Sequence, residues 1–145
     1  MKIRRLDHVS INVLDLPAAI AFFLDLGLEM MGEAEMEGAL LDAVVGMQGV
    51  KTSLAMLRTP GGGGNLELVK YHAPPAVGDT APSPPHALGI RHIAFAVEDI
   101  NAIVAKLKKK GVELFSEIQT YQDSYKLLYV RGPEGIILEL AEELG

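Results

Sequence analysis

Two histidines and two glutamates recur at matching places in this 145-residue sequence, and together they have the chemistry of a metal site. After His8, apolar residues alternate with Ser10 and Asn12, and after His92 large apolar residues alternate with alanines. Glu67 and Glu139 each stand between two leucines. Side chains two residues apart share one face of a strand, so each of the four lies opposite its apolar neighbours. Two carboxylates brought together repel each other and lose hydration, and a divalent cation removes both penalties. The set predicts one divalent ion (Ni, Co, Zn, Mn or Fe) with one or two positions left for water or substrate.

Each of these residues also has an ordinary structural interpretation. A histidine in a strand is usually a core or surface residue, and Leu-Glu-Leu is usually a strand with one solvated side chain. Recurrence of both types at equivalent places favours the metal site. The chain has no cysteine, so any site must use nitrogen and oxygen ligands. The glycines at 61–64 are predicted to form a flexible turn instead of a phosphate-binding loop, because no Lys-Ser/Thr follows them.

An internal repeat explains why these residues recur. Residues 8–33 align without a gap with residues 92–117 at an offset of 84, and Leu66-Glu67-Leu68 aligns with Leu138-Glu139-Leu140 at an offset of 72. The first half therefore carries an insertion of 12 residues, most of it placed near 38–49. The matched pairs in the first block include His8 with His92, Val13 with Val97, Asp15 with Asp99, Gly27 with Gly111, Glu29 with Glu113 and Glu33 with Glu117.

Each half has the pattern of a β-α-β-β-β unit. Asp15 and Asp99 are predicted helix N-caps, and Gly27 and Gly111 are predicted helix ends. The predicted strands cover residues 5–13, 28–37, 50–58 and 65–71 in the first half, and 89–97, 112–120, 124–131 and 135–141 in the second. The insertion, with Leu40, Leu41, Val44, Val45 and Met47, either forms a short helix that covers the site or packs in the core.

The predicted fold class is α+β, with two tandem βαβββ modules that form a curved mixed sheet around a metal-binding cup. The expected boundaries are residues 1–72 for the first module, 73–88 for a Pro- and Gly-rich linker, and 89–145 for the second. The net charge of −6 argues against a nucleic-acid partner. No apolar run approaches the roughly 20 residues that span a bilayer, so we expect no membrane partner and a cytoplasmic protein.

The sequence resembles the vicinal oxygen chelate superfamily, which includes glyoxalase I, methylmalonyl-CoA epimerase, extradiol dioxygenases and the bleomycin and fosfomycin resistance proteins. The residues that carry the resemblance are Leu6-Asp7-His8-Val9, Leu66-Glu67-Leu68, Gly89-Ile90-Arg91-His92-Ile93-Ala94-Phe95 and Gly132-Pro133-Glu134-Gly135 leading to Leu138-Glu139-Leu140. The resemblance implies paired βαβββ modules, metal ligands at His8, Glu67, His92 and Glu139, and a homodimer.

A cation with open positions can bind two neighbouring oxygens of a small-molecule substrate and stabilise the enediolate or enolate that forms when an adjacent C–H loses its proton. Glu67 and Glu139 are the expected catalytic bases. This chemistry predicts a metal-dependent lyase or isomerase of the glyoxalase I or methylmalonyl-CoA epimerase type. Two alternatives stay open: a metal-free protein that binds a drug or metabolite, and an extradiol dioxygenase.

Overall fold

The computed structural model describes all residues from Met1 to Gly145. They form two compact units, Met1–Asp79 and Thr80–Gly145, and each unit contains one four-stranded mixed sheet. The prediction of two α+β modules with βαβββ order is confirmed. The joining of both sheets into one curved sheet, and the linker boundaries at 73 and 88, stay predictions.

The first module has the sheet order β1-β4-β3-β2. Strand β1 runs parallel to β4, and the other two pairings are antiparallel. Helix α1 crosses from β1 to β2 and packs on β3 and β4. Its elements are β1 (His8–Asn12), α1 (Leu16–Leu26), β2 (Glu29–Glu37), α2 (Ala39–Val45), β3 (Lys51–Arg58) and β4 (Asn65–Ala73).

Helix α1 forms where its caps and its apolar spacing agree. The Asp15 carboxylate accepts a hydrogen bond from the Ala18 backbone N–H at 3.1 Å, which satisfies one of the unpaired donors of the first turn. Leu16, Ala19 and Phe23 then recur at helical spacing and are all buried. Full burial of a side chain such as Phe23 contributes roughly 1.5 to 3 kcal/mol. Gly27 ends the helix with a φ of 124°, a region that favours glycine.

The second module repeats this arrangement with the sheet order β5-β8-β7-β6. Strand β5 is parallel to β8, and helix α3 packs on β8. Helix α2 has no counterpart in this module, as the insertion in the first half predicts. Its elements are β5 (His92–Ala96), α3 (Ile100–Lys109), β6 (Gln119–Tyr121), β7 (Tyr125–Arg131) and β8 (Ile137–Glu143), with a single 3-10 turn at Pro133–Gly135 before β8.

Two carboxylates hold the start of α3. Asp99 accepts from the Ala102 N–H at 3.1 Å, as the N-cap prediction requires. Glu142 of β8 accepts from the N–H groups of Asp99 at 3.2 Å and Ile100 at 3.0 Å. At the equivalent position of the first module, Lys70 donates to the carbonyl of Leu14 just before α1. The same strand position therefore braces the strand–helix corner in both modules, with opposite charge.

Two predicted strands of the second module are wrong in their bounds. Residues 112–120 are not one strand, because regular pairing is confined to β6 and a single bridge joins Leu114 to Val130. Between them the side chains of Ser116 and Gln119 both donate to the carbonyl of Glu117, in competition with strand pairing.

Strand β8 begins at 137 instead of 135, because the 3-10 turn holds the residues before it. Glu134 and Gly135 have φ values of 54° and 82° there, which interrupts the extended conformation of a strand.

The insertion forms the predicted short helix, α2, but not a core element. Leu40 and Val44 have relative exposures of 79% and 74%, so the alternative of core packing is wrong for both. Asp42 ties the helix to the following chain, since its carboxylate accepts from the N–H groups of Gly49 and Val50. None of the three helices is both long and apolar enough to cross a bilayer.

Candidate metal centre

The second module brings His92 and Glu139 together on one sheet face. Parallel pairing sets Ala94 of β5 beside Glu139 of β8, so His92, two residues earlier on β5, shares the face of Glu139. The histidine Nε2 atom lies 3.2 Å from a Glu139 carboxylate oxygen. The neighbours Leu138 and Leu140 are buried on the opposite face, which α3 covers. The predicted pairing of imidazole and carboxylate is therefore present within this module.

The first module presents His8 and Glu67 in the same register. Ser10 of β1 pairs with Glu67 of β4, which sets Glu67 and His8 on the same face. Leu66 and Leu68 are buried on the other face, where α1 packs. His8 is exposed and Glu67 is half-buried, so both groups can meet a ligand from solvent.

Asp7, to which the sequence analysis assigned no role, orients His8. The carboxylate of Asp7 lies 2.8 Å from His8 Nδ1, and Arg5 donates to its other oxygen at 2.9 Å. The hydrogen bond from His8 first, and that from Arg5 second, lower the pKa of the Asp7 carboxyl below its ordinary value. An ionised carboxylate only accepts, so Nδ1 donates to Asp7, and Nε2 is the ring atom left to face a ligand.

The repeat breaks at this point. Arg91 stands in the second module where Asp7 stands in the first, and its buried Nε atom has no hydrogen-bond partner. His92 therefore has no carboxylate from the preceding residue and faces Glu139 instead. The contact between Asp7 and His8 could have been predicted, because the two residues are adjacent in the sequence.

An aromatic cluster adjoins the second pair. Tyr129 of β7 pairs directly with Glu139, and its ring centroid lies 4.9 Å from that of His92. Phe115 meets the Tyr129 ring edge to face at 5.8 Å. The Arg131 guanidinium carbon lies 4.7 Å from the centroid of Phe115 on its ring face, and Arg131 also donates to the carbonyl of Gly135. Strand register places these groups beside the histidine, and alternation along 125–131 would have predicted the face of Tyr129.

The donor chemistry of each pair fits a divalent metal ion. One imidazole nitrogen, a borderline ligand, and one carboxylate oxygen, a hard ligand, per module suit Ni, Co, Zn, Mn or Fe(II). Neither module by itself gathers three histidine, aspartate or glutamate side chains in a metal-binding cluster. The site with four ligands, His8, Glu67, His92 and Glu139, draws one pair from each module and stays a prediction.

Other polar features have structural explanations. The lysines that end α3, at 106, 108 and 109, complement the negative end of the helix dipole. His72 lies near the end of β4, and its Nε2 is 2.6 Å from the Ser53 hydroxyl, which also contacts the Glu35 carboxylate at 2.7 Å. These three side chains link β2, β3 and β4 across the exposed end of the first sheet.

Comparison with known proteins assigns the chain to a family. A structure of a glyoxalase family protein from Bacillus cereus is 43% identical and superposes with a TM-score of 0.95, covering 100% of this chain and 97% of that one. The Escherichia coli protein YaeR, described as uncharacterised, is 29% identical over 97% of this chain and 98% of its own.

A more distant structure shares the fold alone. The fosfomycin resistance protein FosX of Listeria monocytogenes, complexed with Mn(II) and sulfate, is 17% identical with a TM-score of 0.64, over 97% of this chain and 93% of that one.

The model of the glyoxalase/bleomycin resistance protein/dioxygenase superfamily matches residues 5–140. The chain therefore belongs to the glyoxalase/bleomycin resistance protein/dioxygenase superfamily.

Proposed function

We propose that this protein is a metal-dependent lyase or isomerase that moves a proton on a small substrate with two adjacent oxygens. The observation that carries the proposal is the imidazole and carboxylate on one sheet face of each module, with 3.2 Å between His92 Nε2 and a Glu139 oxygen in the second. The proposed ligands are His8, Glu67, His92 and Glu139. Membership of a superfamily that includes glyoxalases supports the reaction class.

The bound ion would supply electrostatic stabilisation of charge on the substrate oxygens. The protein's own groups move the proton. Glu67 and Glu139 are half-buried carboxylates on different modules, so one can accept a proton from the substrate carbon and either can return one. Return to the same carbon from the other side gives epimerisation, as in the methylmalonyl-CoA epimerase type. Return to the neighbouring carbon gives the 1,2-transfer of the glyoxalase I type.

Neighbouring side chains orient both proposed histidine ligands. Asp7 contacts Nδ1 of the His8 ring, and Tyr129 packs against the His92 ring with the centroids 4.9 Å apart. Both contacts restrict the imidazole orientation, which reduces the ordering cost when a ligand binds.

We also propose that the protein acts as a homodimer in the cytoplasm.

Deuterium wash-in tests the reaction class without presuming a product. The metal-loaded protein is incubated in D₂O with 2-oxoaldehyde–thiol adducts and with acyl-CoA thioesters, and exchange at the acidic C–H is followed by NMR. Exchange that is lost in Glu139→Gln and Glu67→Gln supports the proposal. Absence of exchange with every substrate contradicts it, and ligand binding without exchange then favours the metabolite-binding alternative.

A further inference from the structure

The second module contains a pocket of about 370 Å³ beside the candidate metal pair. This volume falls in the range of small-ligand sites, about 300 to 1,000 Å³. The pocket lies over β6, β7 and the segment that precedes β6. Its lining includes Phe115, Ser116, Gln119, Tyr121, Leu127 and Tyr129.

Strand register sets this pocket on the same face as His92 and Glu139. Tyr129 pairs with Glu139 across β7 and β8, and Leu127 lies two residues further along the same face. Adjacent strands are about 4.8 Å apart, and two residues span about 7 Å along a strand. If the two oxygens of a substrate bind at the His92–Glu139 pair, a group attached to a carbon that bears one of these oxygens therefore reaches the pocket.

The chemistry of the lining selects a neutral apolar group. None of the residues that line the pocket is charged. Arg131, the cation in contact with Phe115, is stacked on that ring and donates to the Gly135 carbonyl, so it is engaged outside the pocket. An anionic tail would gain no partner here and would lose hydration.

The geometry of the walls favours a flat ring. The Tyr129 ring contacts the rings of His92 and Phe115, with centroid distances of 4.9 Å and 5.8 Å. The Arg131 guanidinium packs on the Phe115 ring. A wall fixed in this way loses little side-chain entropy on binding, and its aromatic rings favour edge-to-face or offset contact with another ring. Leu127 supplies an aliphatic surface on the same face.

We infer that the substrate carries an aromatic ring on a carbon that bears one of its two adjacent oxygens, and that this pocket holds the ring. The inference rests on the proposed function for the position of the oxygens. Phe115, Leu127 and Tyr129 are then the residues that determine specificity.

Binding of lactate and mandelate to the Zn(II)-saturated protein tests the inference. The two 2-hydroxy acids present the same adjacent oxygens and differ in a methyl or a phenyl group. Mandelate is expected to bind about 10- to 100-fold more tightly by calorimetric titration, as for a well-filled apolar pocket. Equal affinity for the two acids, or binding of neither, overturns the inference.

Variants separate the pocket from general damage to the fold. Leu127→Ala and the milder Phe115→Leu are expected to reduce the preference for mandelate to about threefold or less. Lys126→Ala is the matched control, because Lys126 adjoins Leu127 but pairs with Glu142 on the opposite face. Its preference should equal that of the wild type. A preference that survives in both pocket variants overturns the inference.

The same ligands distinguish failure of the inference from failure of the proposed function. Glu139→Gln should weaken both acids by the same factor, since it acts on the shared oxygens. A mandelate preference without any C–H exchange in the wash-in assay supports the pocket and contradicts the proposed reaction. Exchange with equal affinities supports the reaction and overturns the aromatic pocket.

Discussion

Replacement of Glu142 tests the physical account of how β8 is tied to α3. Its carboxylate accepts from the N–H groups of Asp99 and Ile100 at 3.2 and 3.0 Å. The Ile100 residue is fully buried, so in Glu142→Ala its N–H loses its partner in a partly buried environment. An unsatisfied buried donor costs about 1 to 3 kcal/mol, and the more exposed Asp99 N–H adds less because water can replace the carboxylate. We expect a loss of about 2 kcal/mol in the free energy of unfolding, within the ~0.5 to 2 kcal/mol range of helix N-terminal caps.

Denaturant and thermal unfolding, followed by circular dichroism, measure this loss. For a chain of this length, about 2 kcal/mol corresponds to a fall of roughly 4 to 8 °C in Tm. Glu142→Gln keeps a neutral acceptor and should lose about half as much. Glu143→Ala, at the exposed end of the same strand, is the matched control and should stay within ~0.5 kcal/mol of the wild type. If Glu142→Ala is no less stable than Glu143→Ala, the bracing of α3 by β8 is refuted.

Three further outcomes follow from the same structure. Asp7→Asn should weaken Zn(II) binding by roughly 10-fold, since it removes the carboxylate that holds His8; unchanged affinity in a competition titration would contradict that role. Leu138→Ala, at a fully buried position, should lower the free energy of unfolding by about 2 to 5 kcal/mol, and a loss below ~1 kcal/mol would mean that the site can collapse. Leu40→Ser and Val44→Ser, on the exposed face of α2, should each change stability by less than about 0.5 kcal/mol in urea unfolding, and a larger loss would place this helix in a core.

The repeat was sufficient to predict the fold because each module obeys the same local rules. Asp15 and Asp99 cap equivalent helices, and buried leucines flank Glu67 and Glu139 on equivalent strands. The residues around 112–120 were misassigned for a local reason. Their apolar pattern resembles a strand, and Glu113 and Phe115 do bond to β7, but side-chain bonds to the Glu117 carbonyl compete with pairing before β6 begins.

The partners of the predicted ligands were harder to find from sequence. Asp7 adjoins His8 in the chain, so its contact was local and could have been predicted. Tyr129 and Phe115 lie far from His92 in sequence, and their contacts depend on the register of β7 against β8. A shift of one residue would turn Tyr129 to the opposite face, which is why composition and spacing alone did not assign it.

The measurement that tests the central claim most directly is metal stoichiometry in the wild type and in four single variants. Protein is saturated with Zn(II), dialysed, and analysed by inductively coupled plasma mass spectrometry alongside circular dichroism. We expect one ion per chain in the wild type, and well-folded variants with strongly reduced metal content for His8→Ala, Glu67→Gln, His92→Ala and Glu139→Gln alike. A folded wild type without metal, or loss confined to the ligands of one module, would contradict a shared site with four ligands.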